Sequence, residues 1–153
     1  MLSPALLTSR SAEWTTPQDF FEALNKQFHF TLDPCATPEN AKCTRYFTKG
    51  NDGLAQPWTG RVFMNPPYGR EVGKWVKKAY EESQHNAELV VCLLPARTDT
   101  RWWHDYCLKG EIQFVKGRLK FGDAKNAAPF PSVIVCFRKA SVRHSKLPCR
   151  FRK

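Results

Sequence analysis

An uninterrupted apolar run, Leu89 to Leu94, limits the choice of fold more than any other stretch of this chain. Successive side chains of a strand point to opposite faces, so such a run fits a strand that is covered on both faces. A sheet buried in this way is covered by helices. The preceding segment supplies one, because apolar residues recur at helical spacing after Gly69, at Val72, Trp75, Val76, Ala79 and Tyr80. We therefore expect an α/β fold in which strands alternate with helices.

The remaining elements are predicted from caps and short apolar runs. A first helix is expected after Thr16 and Pro17, which suit a helix cap and a first helical turn. Its apolar stripe consists of Phe20, Phe21, Leu24 and Phe28. Thr98 is predicted to cap a short helix that carries Trp102, Trp103 and Tyr106. Short strands are expected at residues 30–33, 45–47, 61–64, 112–115 and 132–137.

Positive charge is concentrated towards the C-terminus of a chain long enough for one domain. The 153 residues include 24 Lys and Arg against 14 Asp and Glu, and seven of the basic residues follow Phe137, where no acidic residue occurs. A basic, proline-containing tail favours sequence-independent attraction to phosphates. A solvated tail that only improves solubility is the alternative that composition leaves open.

The cysteines do not indicate a metal site. None of the six forms a Cys-x-x-Cys pair, and His104 with Cys107 has no second pair of matching spacing, so we predict no metal. We interpret the cysteines as buried, reduced thiols: Cys35, Cys43, Cys92, Cys107, Cys136 and Cys149. The N-terminus has neither a basic leader nor a long apolar segment, and we predict a cytoplasmic protein without a membrane span.

The strand predicted at 61–64 leads into Asn65, Pro66, Pro67 and Tyr68. The exocyclic amine of adenine is a poor nucleophile, because its lone pair is delocalised into the ring, and it reacts when its hydrogens are drawn towards acceptors. The side-chain oxygen of Asn65 and the backbone carbonyl of Pro66 can each accept one hydrogen, the prolines hold these oxygens in place, and Tyr68 can stack on the base. A strand end followed by a plain turn is the alternative for so short a match.

These four residues resemble the catalytic motif of methyltransferases that use S-adenosylmethionine to methylate amino groups of DNA adenine, RNA bases or glutamine side chains. Further segments occur in the order seen in the phage Dam-like DNA adenine methyltransferases: Trp14–Pro17, Asp33–Ala36, Asn51–Leu54, Asn65–Tyr68, Leu94–Thr98 and Gly117–Phe121. The resemblance runs from about Trp14 to Phe137. It implies an N-terminal extension at 1–13, a methyltransferase catalytic domain at 14–138 and a basic tail at 139–153.

The resemblance implies transfer of a methyl group from S-adenosylmethionine to the 6-amino group of adenine in double-stranded DNA. The catalytic residues it implies are Asn65, Pro66, Pro67 and Tyr68. The cofactor contacts it implies are Thr15, Thr16 and Pro17 at the methionine carboxylate, Asp33 at the ammonium group, the backbone of Pro34, Cys35 and Ala36, and Asp52 at the ribose or adenine. A plain helix cap at Thr16 and a turn aspartate at Asp52 are alternatives that the residues leave open.

Four further residues are predicted to bind the substrate. Phe121 is a candidate for the second face of an aromatic sandwich around an extruded base, opposite Tyr68, with Arg118 and Lys120 around it. Arg97 is a candidate for contact with the phosphate backbone. Packing of Phe121 in the core is the competing interpretation.

The chain departs from the family pattern in two places. The glycine-rich turn that usually follows the first strand is replaced by residues 36–39, Ala-Thr-Pro-Glu. In addition, too few residues separate Asp33 from Asn65 for two strands with crossover helices. We therefore predict a trimmed Rossmann-like methyltransferase fold. Its mostly parallel sheet has five or six strands instead of seven, and the last strand, near Val133 to Phe137, is antiparallel.

Two other classes of function remain open at this point. A methyltransferase acting on RNA or on protein glutamine would use the same motif, and a non-catalytic nucleic-acid-binding module would account for the basic tail and the aromatic residues without a cofactor. A homodimer is a further possibility. The resemblance implies a phage or prophage gene and action in a bacterial host cell.

Overall fold

The computed structural model describes residues 14–122 and 125–139. The helices of this part are α1 (Gln18–Phe28), α2 (Val72–His85) and α3 (Arg101–Asp105). Its strands are β1 (Leu32–Asp33), β2 (Arg45–Tyr46), β3 (Gly60–Met64), β4 (Ala87–Pro95), β5 (Glu111–Phe114) and β6 (Ser132–Phe137). Short 3-10 turns occupy Gly53–Ala55 and Cys107–Lys109. The predicted extension at 1–13 and nearly all of the predicted tail lie outside the described residues, so the division into three segments stays a prediction.

The strands form one sheet in the order β2-β1-β3-β4-β6-β5. The first four strands of this order are parallel, and β6 is antiparallel to both β4 and β5. This arrangement confirms the predicted α/β fold with a mostly parallel sheet and an antiparallel last strand. The apolar run lies in β4, at the centre of the sheet, and every residue from Leu89 to Pro95 is buried.

Two helices supply most of the cover for the sheet. The ring of Phe21 on α1 meets that of Phe63 on β3 edge to face, with centroids 5.1 Å apart. On α2, Val76 and Ala79 are fully buried at the spacing that the sequence predicts. Apolar stripes of this kind stabilise helices mainly by burial against the sheet.

The connection from β1 to β3 is short and has no α-helix. It contains only the two-residue strand β2 and the 3-10 turn Gly53–Ala55, as the small number of residues in this stretch predicts. Apart from β2 and the first residue of the 3-10 turn, residues 34–53 form loops. These loops form much of the wall of the candidate site.

Two predicted helix caps are wrong. Helix α1 has Pro17 at its N-cap position and no side-chain cap, because the hydroxyl of Thr16 binds a side chain at a strand end instead. Helix α3 is capped by Thr100, whose hydroxyl accepts a hydrogen bond from the backbone N–H of Trp103 at 3.3 Å, and not by Thr98. In both cases several hydroxyls lie near the helix start, and long-range packing decides whether one of them caps the helix and which one.

The cysteines only partly follow the prediction of buried thiols. Cys92 and Cys107 are buried free thiols, as predicted, whereas Cys35 and Cys43 are free but half-buried. For Cys136 the prediction is wrong, since its sulfur is disulfide-bonded. An apolar strand pattern reports burial, and a buried disulfide sulfur satisfies it as well as a thiol does. Cys149 also lies outside the described residues.

One basic residue counted near the C-terminus belongs to the folded sheet. Arg138 follows β6, is buried, and pairs with Glu111 of β5 at 3.1 Å. Its positive charge is therefore paired with a carboxylate of the folded domain. Across the described ranges, no helix is both long and apolar enough to cross a membrane.

Candidate active site

Two strand ends that carry predicted site residues meet at one edge of the sheet. Asp33 is the last residue of β1, and Asn65 directly follows β3, the parallel neighbour of β1. Beyond the strands, the thiol of Cys35 donates to the backbone carbonyl of Asn65 at 3.3 Å. Burial raises the pKa of Cys35 well above its ordinary value, so the group remains a thiol that can donate. The segments after β1 and β3 are thus held side by side.

A cavity of about 400 Å³ opens where these segments meet. This volume lies within the range of small-molecule sites. Residues from both predicted segments line it: Thr15, Thr16, Asp33, Pro34, Cys35, Ala36, Asp52, Asn65, Pro66 and Pro67. The structure therefore brings most of the predicted cofactor residues and three residues of the Asn-Pro-Pro-Tyr motif to one cavity.

The side chain of Asn65 has one defined orientation. Its amide nitrogen donates to the hydroxyl of Thr16 at 2.9 Å and to the backbone carbonyl of Trp14. Because a carbonyl oxygen only accepts, the nitrogen must face Trp14. The amide oxygen Oδ1 is buried and has no hydrogen-bond partner among the described residues. A buried acceptor without a partner costs free energy, which a donor that reached this atom would recover.

Asp33 contributes a buried carboxylate to the same cavity. Its side chain accepts from the backbone N–H of Lys42 at 3.0 Å and from that of Cys35 at 3.4 Å. Burial raises the pKa of Asp33 from 3.8 to about 6, although the two N–H groups act in the opposite direction. At neutral pH Asp33 is therefore a poorly hydrated anion, which favours a cationic group beside it.

The loop that carries Asp52 is drawn close to the segment after β1. A Cβ added to Gly53 would lie 2.2 Å from the backbone oxygen of Pro34, so only glycine fits there. The carbonyl of Gly53 accepts from the indole N–H of buried Trp58 at 2.8 Å. Trp58 stacks on Trp75, which lines the cavity from α2, with ring centroids 6.1 Å apart. This packing places Asp52, exposed and in the left-handed region at φ 53°, on the cavity wall.

The predicted aromatic clamp around a base is not open in this structure, and its role stays a prediction. The ring of Tyr68 is buried, and its hydroxyl donates to the carbonyl of Leu93 at 3.0 Å. Phe121 meets Tyr68 edge to face, with centroids 6.2 Å apart and an interplanar angle of 83°, which leaves no gap for a base. Phe130 stacks on Phe121 at 5.8 Å and takes one of its faces. The alternative interpretation of Phe121 as a packed residue is the one the structure supports.

The other predicted substrate residues and Pro17 do not line the cavity. Arg97, Arg118 and Lys120 are exposed, and the guanidinium of Arg118 donates to the carbonyl of Ala128 at 3.3 Å. Arg97 follows the carboxyl end of β4, and β4 runs parallel to β3, so it lies towards the same edge of the sheet as Asn65. Contact of these residues with DNA stays a prediction.

Sequence reasoning missed several residues of the wall. Trp75 was assigned to the buried stripe of α2, but it is half-buried and reaches the cavity. Trp14 and Gly53 lie in segments that carry the family resemblance, but no role was predicted for them. An aromatic ring and a glycine in such segments were signals that could have identified them as site residues. Nothing in the sequence marked Lys42, whose backbone N–H binds Asp33. Within the described ranges, no three His, Cys, Asp or Glu side chains are grouped as metal ligands would be.

The sequence of this chain is similar to those of known methyltransferases. The profile of the family described as DNA N-6-adenine-methyltransferase (Dam) matches residues 5–147. The chain belongs to the Dam family. A relative from Haemophilus phage HP1, named DNA N-6-adenine-methyltransferase, is 32% identical over 135 residues, which cover 81% of this chain and 77% of the relative. The putative methyltransferase YfdM of Escherichia coli K12 is 38% identical over 64 residues, 37% of this chain and 70% of that protein.

Membership of the Dam family confirms two predictions made from the sequence. The family resemblance is correct, and so is the enzyme class, DNA N-6-adenine methylation. The residues that carry the motif order, from Trp14 onwards, lie within the matched range.

Proposed function

We propose that the cavity binds S-adenosylmethionine, and that Asn65 and Pro66 receive the 6-amino group of an adenine in double-stranded DNA. The observation that carries this proposal is Asn65, whose side-chain oxygen is buried without a hydrogen-bond partner and which lines one cavity together with Asp33. A methyl donor and an amine must meet within one enclosed site for direct transfer, and this cavity joins the two segments involved.

The residues of the cavity fit the chemical groups of S-adenosylmethionine. The buried carboxylate of Asp33 suits the methionine ammonium, and Thr15, which also lines the cavity, suits the carboxylate. The segment Pro34–Ala36 would line the middle of the molecule, and Asp52 would accept from the ribose hydroxyls. Trp75 offers an aromatic face for the adenine ring. Bound there, S-adenosylmethionine supplies a methyl group on a positively charged sulfur.

The chain itself supplies acceptors and rigidity. The side-chain oxygen of Asn65 and the backbone carbonyl of Pro66 accept the two hydrogens of the adenine amine, which localises the lone pair on nitrogen. As the amine takes up the methyl group, positive charge develops on its nitrogen, and the two oxygens stabilise it. Pro66 and Pro67 fix φ, so both acceptors are held in place before the base arrives. One hydrogen then leaves the amine as a proton to solvent.

The proposal that DNA is the substrate rests on membership of the Dam family. In a duplex the 6-amino group of adenine is paired and stacked, so the base must leave the helix to reach Asn65. The hydroxyl of Tyr68 is bound to Leu93, and we assign to Tyr68 the task of anchoring the motif to β4. Arg97 at the same edge is proposed to contact a phosphate. Action in a bacterial cytoplasm and a homodimer remain proposals, the second of which sedimentation of the purified protein tests.

Replacing Asn65 by alanine tests the mechanism. Loss of the acceptor is expected to lower methyl transfer from tritiated S-adenosylmethionine to duplex DNA by at least about 10²-fold, as loss of one charge-stabilising group does in other enzymes. The affinity for S-adenosylhomocysteine, measured by calorimetry, should stay near that of the wild type. Asn126→Ala makes the same chemical change at an exposed position and serves as the control. Near-normal transfer by Asn65→Ala would exclude the proposed role.

The same labelled assay distinguishes the substrate. Tritium is expected in duplex DNA and released with the methylated adenine after hydrolysis. Label in RNA or in protein glutamine would show that the motif serves a different amine. Absence of heat with S-adenosylhomocysteine, together with retained binding to DNA, would identify a module that only binds nucleic acid.

A further inference from the structure

The hydroxyl of Thr16 is held against the catalytic amide and not against the helix that follows it. Its oxygen accepts from the amide nitrogen of Asn65 at 2.9 Å, and helix α1 begins without a side-chain cap. Thr16 is buried, with 4% of its surface exposed. A buried hydroxyl in this position acts on the orientation of Asn65.

The orientation of Asn65 decides whether it can accept a hydrogen at all. A side-chain amide has one accepting and one donating end, and a rotation of 180° about χ2 exchanges them. In the present orientation the carbonyl of Trp14 and the hydroxyl of Thr16 accept both hydrogens of the nitrogen, and Oδ1 is left without a partner. In the rotated orientation Oδ1 would face the Trp14 carbonyl, acceptor against acceptor, and the donating nitrogen would meet the amine.

The segment that holds Asn65 is itself fixed by distant parts of the chain. The carbonyl of Thr15 accepts from the backbone N–H of Gly122 at 2.8 Å. The ring of Trp14 meets Phe121 and Phe130 edge to face, with centroids 5.6 and 5.2 Å away. Residues 14–16 therefore form a packed support, which keeps the two acceptors at a constant distance from the amide.

We propose that Thr16 is a positioning residue for methyl transfer: the carbonyl of Trp14 selects which end of the Asn65 amide lies against residues 14–16, and the hydroxyl of Thr16 holds the second N–H so that the amide stays in that orientation. The proposal rests on the proposed function of Asn65. It assigns to Thr16 a task different from the cofactor contact that the family resemblance implies, and the two tasks predict different measurements.

The kinetic test compares Thr16→Val with Thr16→Ser. Valine keeps the shape of threonine but cannot accept, so kcat for DNA methylation should fall by about tenfold, as loss of one hydrogen bond implies. The affinity for S-adenosylhomocysteine and the KM for S-adenosylmethionine should stay within about twofold, since uniform binding is untouched. Serine keeps the hydroxyl and should restore kcat. Thr59→Val removes a surface hydroxyl that binds Arg45 and should leave every value unchanged.

A second measurement does not depend on activity. The side-chain amide protons of Asn65, identified in a proton–nitrogen spectrum by their loss in Asn65→Ala, should exchange slowly with water in the wild type and in Thr16→Ser. In Thr16→Val one proton loses its partner, and exchange should be faster. Unfolding temperatures of all variants show whether the fold is kept, and the serine variant remains informative if the valine variant is unstable.

The outcomes separate this inference from the proposed function. Unchanged kcat and unchanged amide exchange in Thr16→Val would overturn the positioning role, and so would a selective loss of S-adenosylhomocysteine affinity with kcat intact. If the wild type transfers no methyl group to DNA, the proposed function fails, whereas the amide exchange still decides whether Thr16 orients Asn65.

Discussion

Replacing Asp33 by asparagine should make the protein more stable and at the same time weaken its binding of the cofactor. Asp33 has 5% of its surface exposed, and burial raises its pKa from 3.8 to about 6. At pH 7.5 the folded protein therefore holds a carboxylate that its surroundings solvate poorly. Such a charge is costly in the empty site and useful when a cation binds.

The direction of the pH dependence follows from the two pKa values. In the unfolded chain Asp33 loses its proton near pH 3.8, whereas in the folded protein it does so only near pH 6. Between these values the unfolded state binds fewer protons, so the free energy of unfolding decreases as the pH rises, and it levels off above about 6. The gap between 3.8 and about 6 corresponds to roughly 3 kcal/mol.

Asparagine removes this charge but keeps one acceptor oxygen. It can bind the N–H of Lys42 or that of Cys35, and losing the other bond costs about 1 kcal/mol. We expect a net gain of roughly 1–2 kcal/mol at pH 7.5, which corresponds to an increase of roughly 2–8 °C in Tm. At pH 4 the gain should vanish, because the wild-type side chain is then neutral. Thermal unfolding at both pH values measures this, with the exposed Asp99→Asn as the control.

The effect of Asp33 on binding is measured by calorimetry, as the affinity for S-adenosylhomocysteine between pH 5 and 8. If only the Asp33 carboxylate binds the ammonium group, wild-type affinity should fall by about tenfold for each pH unit below 6. Asp33→Asn should bind on the order of 10²-fold more weakly at pH 7.5, as loss of a buried ionic partner implies, and should lose the pH dependence. A destabilised variant with unchanged affinity would refute the reasoning, as would a wild-type affinity that does not change across this range.

Two further substitutions test the walls of the site. Gly53→Ala would place a methyl group 2.2 Å from the backbone oxygen of Pro34, so the loop must move, and we expect a loss of about 1–3 kcal/mol in stability and weaker binding of S-adenosylhomocysteine. Gly50→Ala, whose added carbon has only a 3.6 Å contact, should cost little stability, and an equal loss of stability in the two variants would argue against the close approach. Tyr68→Phe removes the hydrogen bond to Leu93 and should lower stability by about 1 kcal/mol while methyl transfer stays within a few fold. A large fall in transfer at unchanged Tm would instead indicate that the hydroxyl acts on the base.

The strand ends show why part of the site was predictable. Leu89–Leu94 predicted a strand covered on both faces, the alternation of strands with helices predicted an α/β fold, and the family resemblance implied a mostly parallel sheet. Parallel neighbours bring their carboxyl ends to one edge, and the predicted site residues Asp33 and Asn65, at two such strand ends, line one cavity. Periodicity and strand ends are local properties of the sequence, which is why this inference succeeds.

The partners of individual side chains were less predictable. The hydroxyl of Thr16 suits a helix cap as well as it suits the amide of Asn65, and only the packed chain shows which it binds. Likewise, the sequence allowed Phe121 to stack on a base, but in the structure Phe130, from another part of the loop, stacks on it. Such choices depend on contacts between residues far apart in the chain, and no local pattern encodes them.

By itself the sequence determined the fold class, the family and the residues placed at the ends of β1 and β3, because apolar spacing and motif order are written along the chain. The tertiary structure alone decided that the oxygen of Asn65 is the end left without a partner, and that the carboxylate of Asp33 is buried deeply enough to raise its pKa to about 6. Both results depend on which atoms surround a group in three dimensions, since hydrogen bonding and hydration are set by neighbours in space.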